Sequence, residues 1–358
     1  MSLNKINFEK LKHIGNMDIK ELVKIASKKQ VKFKKKDKIP KSVVTLDIGE
    51  KYIKIVSGKF LKDKLIIDDC IEAETPKNSI IDGKISNKYM LKKALVNIID
   101  EAGLSGKSAV VTTNSSQIIN REVIIPKVEE SELETVIRYE IQKYLPINLN
   151  NYEIQYIFKD IIINDTSENL VLSVIAFPKN IVKEYYDFLE EINLNPYALD
   201  ITYNSIRKIY NHSFKKDMQG TVAFIDMGVE STNVSIFKEG KIDFTRIIKN
   251  GKSGIGLLES YYRVERKKLY IDELTKELER VFKYYSNKNV GNKIERILIY
   301  GGISNVKDLK EYLENQLNIN VEKISDINNV EFIGKRSKDV MKNKIELYLN
   351  AIGAVIRY

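Results

Sequence analysis

The pattern of apolar and polar positions divides the chain into two runs of one design, separated by a stretch of different texture. The first run opens with Val43-Val44-Thr45-Leu46-Asp47-Ile48-Gly49, an apolar strand running into Asp-x-Gly. Residues 52–58 predict a second strand, and residues 64–68 start a third. Met90, Leu91, Leu95, Ile98 and Ile99 recur at helical spacing, which predicts an amphipathic helix over 86–102. Residues 109–113 read as a buried strand. This order of meander, helix and strand is one half of a ribonuclease-H-like layout. The second run repeats it: Thr221-Val222-Ala223-Phe224-Ile225-Asp226-Met227-Gly228 is again an apolar strand into Asp-x-Gly. Residues 233–237 and 241–244 follow as a hairpin across Glu239-Gly240. The duplication is a stronger signal than either copy alone.

Between the two runs, residues 118–197 predict a small α+β module inserted into the first half. Its elements are a strand at 118–125, a helix at 129–144 with Ser131 as cap, and a hairpin of 152–163 with 170–177 around Asn164-Asp165-Thr166-Ser167. A further helix is expected at 180–192. Beyond the second run, residues 293–300 predict a strand ending in Gly301-Gly302, followed by a helix at 307–317.

Charge refines this division. The net charge of +10 is concentrated in residues 1–42, which hold 13 Lys and 4 acids. The remaining residues hold 46 basic and 45 acidic side chains, so the body presents no general nucleic-acid surface. The tail has two readings: a solvated extension with a short helix near 18–30, or an arm whose Lys32, Lys34, Lys35, Lys36 and Lys38 touch anionic lipid or an acidic partner. With Cys70 as the single cysteine and His13 and His212 as the only histidines, disulfide, zinc and Cys–His or Ser–His chemistry are set aside. No apolar run approaches the ~18 residues of a membrane span, and no apolar signal core opens the chain, which places the protein in the cytoplasm.

The chemistry expected of the body is phosphate binding. At the end of each strand the chain must turn sharply, and glycine allows close approach of a ligand to backbone. Backbone N–H groups in such turns cradle phosphate oxygens. Asp47 and Asp226 suit a magnesium ion held mostly through water. Two hairpins facing each other would clamp a nucleotide between two lobes, with an adenosine against the bare backbone of Gly301-Gly302. Gly251-Lys252-Ser253 is a decoy: a phosphate-binding Walker loop needs another glycine five residues earlier, where Arg246 stands.

Asp47-Ile48-Gly49, Asp226-Met227-Gly228 and Gly301-Gly302 resemble the two phosphate motifs and the adenosine motif of the actin, Hsp70 and sugar-kinase superfamily. The closer resemblance is to the PilM family of type IV pilus assembly proteins, relatives of the cell-division protein FtsA. It extends from Val43 to Tyr358. It is carried by Ile125-Pro126-Lys127-Val128-Glu129 with Tyr144-Leu145-Pro146, by 177–189 with Asn193-Leu194-Asn195-Pro196 and Asp200, by 274–285, and by 351–357. The resemblance implies an α/β actin-like two-lobe fold with an inserted 1C-type subdomain. In that scheme 1–42 is a basic extension, 43–117 the first part of subdomain 1A, 118–197 the insert 1C and 198–220 the return to 1A. Residues 221–253 and 291–340 form subdomain 2A, 254–290 subdomain 2B, and 341–358 a C-terminal helix on 1A.

The resemblance further implies ATP and Mg2+ as ligands. Asp47 and Asp226 would flank the magnesium, Gly49 and Gly228 lie against phosphate, and Lys54 reach the β/γ-phosphates. Thr232 would donate a hydroxyl hydrogen bond, and Glu277 and Arg280 meet ribose or base; the latter two also read as an ordinary i, i+3 pair on a helix surface. Glu50 stands where the first loop is usually small or hydroxylated, and Ser304-Asn305 where the family is richer in glycine. No residue that positions an attacking water is identified, so ATP binding with slow or absent hydrolysis is expected. The implied role is a cytoplasmic scaffold that binds the cytoplasmic N-terminal peptide of a PilN-like inner-membrane protein, with other pilus assembly proteins as further partners. An FtsA-like filament protein and a small-molecule kinase of the same fold are the alternatives.

Overall fold

The computed structural model describes residues 39–144, 148–164, 167–214, 220–250, 264–289 and 292–357. The basic segment through residue 38, the Gly251-Lys252-Ser253 decoy, Leu145-Pro146 and the turn residues Asp165-Thr166 lie outside them. The first lobe starts with β1 (Val43–Ile48), β2 (Tyr52–Leu61) and β3 (Lys64–Glu74), followed by the short hairpin β4 (Ile80–Ile81) and β5 (Lys84–Ile85). Helix α1 (Lys88–Glu101) begins at Asn87, whose side chain accepts a hydrogen bond from the Met90 amide, and leads into β6 (Ser108–Thr113). The chain then leaves the lobe through β7 (Ile119–Pro126), α2 (Glu130–Gln142), β8 (Tyr152–Asn164) and β9 (Ser167–Pro178). It returns through α3 (Lys179–Glu191), β10 (Asn195–Ile201) and α4 (Thr202–Ile209).

The second lobe comprises β11 (Thr221–Met227), β12 (Ser231–Lys238), β13 (Lys241–Lys249), α5 (Val264–Lys288), β14 (Arg296–Tyr300), α6 (Leu309–Leu317) and β15 (Asn320–Lys323). Finally β16 (Val330–Phe332), α7 (Lys335–Asn343) and α8 (Leu349–Val355) cross back to the first lobe.

The two main sheets share one order. The first runs β10-β6-β1-β2-β3, with β16 added at the β3 edge, and the second runs β13-β12-β11-β14-β15. In each, an antiparallel meander is extended on the other side of its first strand by two parallel strands. The central strands β1 and β11 are nearly all buried, which explains their mostly apolar sequences. This is the duplicated ribonuclease-H-like layout of an actin-like α/β fold.

The inserted strands form a separate sheet, β7-β9-β8. It packs its own core against α2 through Leu133, Ile137 and Ile141. Two local expectations are corrected. Ser131 does not cap α2: the preceding extended residue is Glu129, and it makes no side-chain cap bond. Helix α3, expected within the insert, buries Ile181, Val182, Tyr185, Phe188 and Leu189 in the core that β1, β2 and α1 share. An apolar stripe at i, i+4 and i+7 goes where a large apolar face awaits it, and the first sheet offers the larger one.

Helix α8 joins the lobes. All seven of its residues are buried. A helix apolar all round belongs inside a core, and here that core contains β1, β3, β6, β11, β12 and β14 residues together. Thr45 Oγ1 on β1 donates to Ala351 O at 2.7 Å. Beside it, Asp200 is buried against Lys208 (2.6 Å) and Arg357 (3.4 Å), which ties β10, α4 and the segment after α8 into one ionic cluster. Helices α4 and α8 cross so closely that a Cβ on Gly353 would lie 2.2 Å from Ser205 O.

Gly353→Ala is therefore expected to destabilise the protein by at least ~1–3 kcal/mol, since backbone rather than a mobile side chain occupies the space. A fall in the denaturation midpoint with an unchanged slope checks this, and an unchanged midpoint refutes the close crossing.

Candidate functional site

The two hairpin turns are built alike. Asp47 faces Lys54 across the first hairpin, and Asp226 faces Asn233 across the second. A Cβ on Gly49 would lie 2.9 Å from Tyr52 O, and one on Gly228 would lie 2.8 Å from Ser231 O. Both turns thus fold glycine against the carbonyl three residues on, in a space too tight for any larger residue. Each glycine carbonyl is held by a side chain: Thr75 Oγ1 donates to Gly49 O at 2.8 Å, and Asn250 Nδ2 donates to Gly228 O at 2.7 Å.

Asp47 and Asp226 are half-buried and near enough for the charge of one to act on the other. Burial pushes the Asp47 carboxyl up to about 7, and the charge of Asp226 pushes the same way; Lys54 and Asn350 act against both. Burial also raises Asp226, opposed by hydrogen bonds from Asn350 and Asn233 and by the Lys54 charge. Lys54 itself is lowered by burial, against the pull of Asp47, Glu72 and Asp226. Asn350, from α8, donates to Asp226 Oδ2 at 2.9 Å and accepts from the Tyr300 hydroxyl at 3.2 Å. Gly301 completes the group. It has φ +89°, and a Cβ there would strike Asp226 Oδ1 at 2.6 Å, so a bare backbone in the left-handed region is required. Its N–H donates to Glu346 O at 2.9 Å, and Gly302 opens a short 3-10 turn through Asn305.

Other expected residues stand elsewhere or act differently. Glu50 turns away from open solvent: its Oε1 accepts from the Asp82 amide at 2.8 Å, while burial and the nearby Glu230 and Asp82 charges raise its pKa. Thr232 is fully buried, and its hydroxyl donates to Asn250 Oδ1 at 3.1 Å. It braces the second loop from behind through the side chain that holds Gly228 O. Arg280 is exposed and Glu277 half-buried, and they pair with each other on α5, so the i, i+3 pairing accounts for their contacts. They line a cavity of about 1090 Å³ between the inserted sheet, β13 and α5, and neither Asp47 nor Asp226 lines it.

Sequence reasoning missed Asn350, Asn233 and Asn250. For Asn350 a signal was present, a single amide-bearing side chain in the otherwise apolar Leu349–Val355. The lobes also meet through polar side chains that no periodicity announces. Asn114 Nδ2 donates to Asn233 Oδ1 at 2.7 Å, and Asn120 Nδ2 to Thr245 Oγ1 at 2.8 Å.

The donor set fits a divalent cation with a polyphosphate: two half-buried carboxylates served by one lysine, beside two glycine turns with no room for a Cβ. Among the described residues no group of three or more His, Cys, Asp or Glu side chains could enclose a metal by itself. A metal here would take most of its ligands from water and phosphate oxygens.

A duplicated fold with paired glycine turns around facing aspartates defines an actin-like protein. Within that class, the family described as Type IV pilus assembly protein PilM matches residues 45–255 and 252–358, and the chain belongs to that family. It is an actin-like protein of pilus assembly. Among solved structures, a PilM–PilN type IV pilus biogenesis complex matches with TM-score 0.76 at 18% identity, covering 88% of this chain and 98% of that one. More distant matches are the ethanolamine utilization protein EutJ from Carboxydothermus hydrogenoformans and the cytoplasmic domain of EpsL from Vibrio cholerae. EutJ has TM-score 0.47 and 11% identity and covers 89% of this chain and 91% of its own. EpsL has 0.46 and 10% and covers 88% and 94%. No curated protein matches the sequence.

The carboxylate pair makes a signed prediction. A folded-state pKa near 7, against 3.8 for the free group, means that the folded chain holds a proton which the unfolded chain releases across that window. Raising the pH from 4 to 7 therefore removes stability, and the full cost is present above 7. Asp47→Asn is expected to raise the melting temperature at pH 8 by roughly 2–5 °C, with the gain shrinking toward zero at pH 4. Calorimetry of both proteins across that range checks it, and a gain independent of pH contradicts the pairing.

Proposed function

We propose that this chain binds ATP with Mg2+ in the cleft between its lobes and serves pilus assembly as a scaffold rather than as a rapid ATPase. The observation that carries the reading is the convergence of both duplicated turns on one half-buried carboxylate pair, with Lys54 beside it. In this reading Gly49 and Gly228 lie against the phosphates, and Asp47 and Asp226 face the magnesium mostly through water. The metal supplies charge neutralisation between the phosphates and the two carboxylates. Lys54 reaches toward the phosphates, and Gly301 and Gly302 leave bare backbone for the adenosine. Glu50, bonded to the Asp82 amide, contributes negative charge near the phosphate end and works against turnover.

The partner in this reading is the cytoplasmic N-terminal segment of a PilN-like membrane protein, which would bring the chain to the inner face of the membrane. The resemblance to a PilM–PilN complex supports this, as does family membership. No helix among the described residues is long and apolar enough to cross a membrane. The inserted sheet with α2 is the part we assign to partner contacts.

Isothermal titration with Mg·ATP is expected to give binding in the wild type and at least a tenfold loss in Asp226→Ala. Equal affinity in the two proteins ends the assignment of the second loop. The wild-type affinity should fall about tenfold between pH 8 and pH 6, because a proton must leave the carboxylate pair before a cation can face it. A synthetic N-terminal peptide of a PilN-like protein, immobilised on resin, is expected to retain the chain; no retention removes that partner.

A further inference from the structure

The cavity between the inserted sheet and the second lobe is not accounted for by the nucleotide reading. One wall is β13, nine residues long and the last strand of its sheet, with no strand on its outer edge among the described residues. A free edge offers a row of unpaired N–H and C=O groups to any extended chain. The second wall is the face of α5 that carries Lys276, Tyr284 and Lys288, and the third is the inserted sheet, which contributes Asn120, Arg121 and Lys159.

Charge in this groove is unbalanced. Lys159 lies 2.9 Å from Glu122 and 3.9 Å from Asp243, and Arg280 is paired with Glu277. Lys249 lies 3.7 Å from Asp82, outside the groove. Arg121, Arg246, Lys276 and Lys288 also line the groove, one or more on each wall, and none of them makes an ion pair among the described residues. Glu273 is the one lining acid without an ion pair among those residues. An apolar spot lies within the same groove: Phe244 packs against Tyr284 at 5.8 Å, while Tyr284 remains 59% exposed.

We propose that this groove takes an extended acidic peptide segment of a partner protein, which adds to the free edge of β13 as a further strand. Main-chain hydrogen bonds along the edge supply affinity, and alternate side chains of the peptide supply specificity. Its acidic side chains meet the four cations, and one apolar side chain rests on Phe244 and Tyr284. The Lys-rich residues 1–42 of this chain carry the wrong charge to be the occupant. The groove needs both lobes, since Asn120 of the insert bonds Thr245 of β13 across it. It does not need the nucleotide site, because Asp47 and Asp226 lie outside it.

The test is fluorescence anisotropy on the full chain without nucleotide. The probes are a fluorescein-labelled ten-residue peptide alternating Glu with Val or Thr, two twins N-methylated on alternate amides (one for each set), and a single-stranded oligodeoxynucleotide of equal charge. The peptide is expected to bind. Binding should weaken at least tenfold in the exposed double variant Arg246→Glu/Lys276→Glu, checked for an unchanged melting temperature. Arg121→Glu/Lys288→Glu, from the other walls, serves if the first variant is destabilised. At least one methylated twin should bind tenfold more weakly than the parent. Absence of peptide binding, binding of both twins as tightly as the parent, or tighter binding of the oligonucleotide would each overturn the proposal, the last by making the groove a nucleic-acid surface.

Discussion

Two carboxylates held together in a half-buried place set the terms for the rest of this molecule. Asp47 and Asp226 belong to different lobes, yet the fold brings them close enough for the charge of Asp226 to disfavour ionisation of Asp47. Nothing in local structure demands this. Each strand and turn would be as stable with a neutral residue at that position. The arrangement persists because the surroundings are over-determined: Lys54 across one hairpin, Asn233 across the other, and Asn350 from α8. Strain of this kind, concentrated where a cation would relieve it, is the physical content of calling the place a site.

The duplicated fold explains how such a pair arises. One meander, repeated, places the same turn at the same end of each sheet. The shared core then fixes how the halves face each other: Phe224 and Phe237 of the second lobe pack with Tyr210, which precedes it, and with residues of β1, β3 and α8. Symmetry is broken where function asks for it. The position opposite the aspartate is lysine in one hairpin and asparagine in the other. The first half alone carries an inserted sheet with its own small core.

Much of this was legible in the sequence. The strands into Asp-x-Gly are buried on both faces, so their sequences are mostly apolar and their turns marked by glycine. The repeat then predicted two facing loops. What stayed hidden was the polar scaffolding. Asn233 and Asn350 are single side chains that reach partners more than a hundred residues away, Asn250 reaches back to its own hairpin turn, and an asparagine in a strand or helix carries no periodic signature. The burial of Thr232 stayed hidden for a related reason: its hydroxyl donates inward to Asn250, and burial is not visible from loop position. Glu277 and Arg280 sit on an amphipathic helix whose apolar face was clear, but which part of the polar face borders the cleft depends on how that helix packs.

The placement of Asn350 has an implication for assembly of the chain itself. It reaches Asp226 across a sequence separation of 124 residues, from a helix buried on every side. Contacts that distant form only after the intervening loop has closed, and that closure costs entropy which local structure cannot repay. The carboxylate pair is therefore complete only where both lobes and α8 are in place. Any ligand that depends on it acts as an inspector, recognising only molecules in which both halves and the final helix have already come to rest.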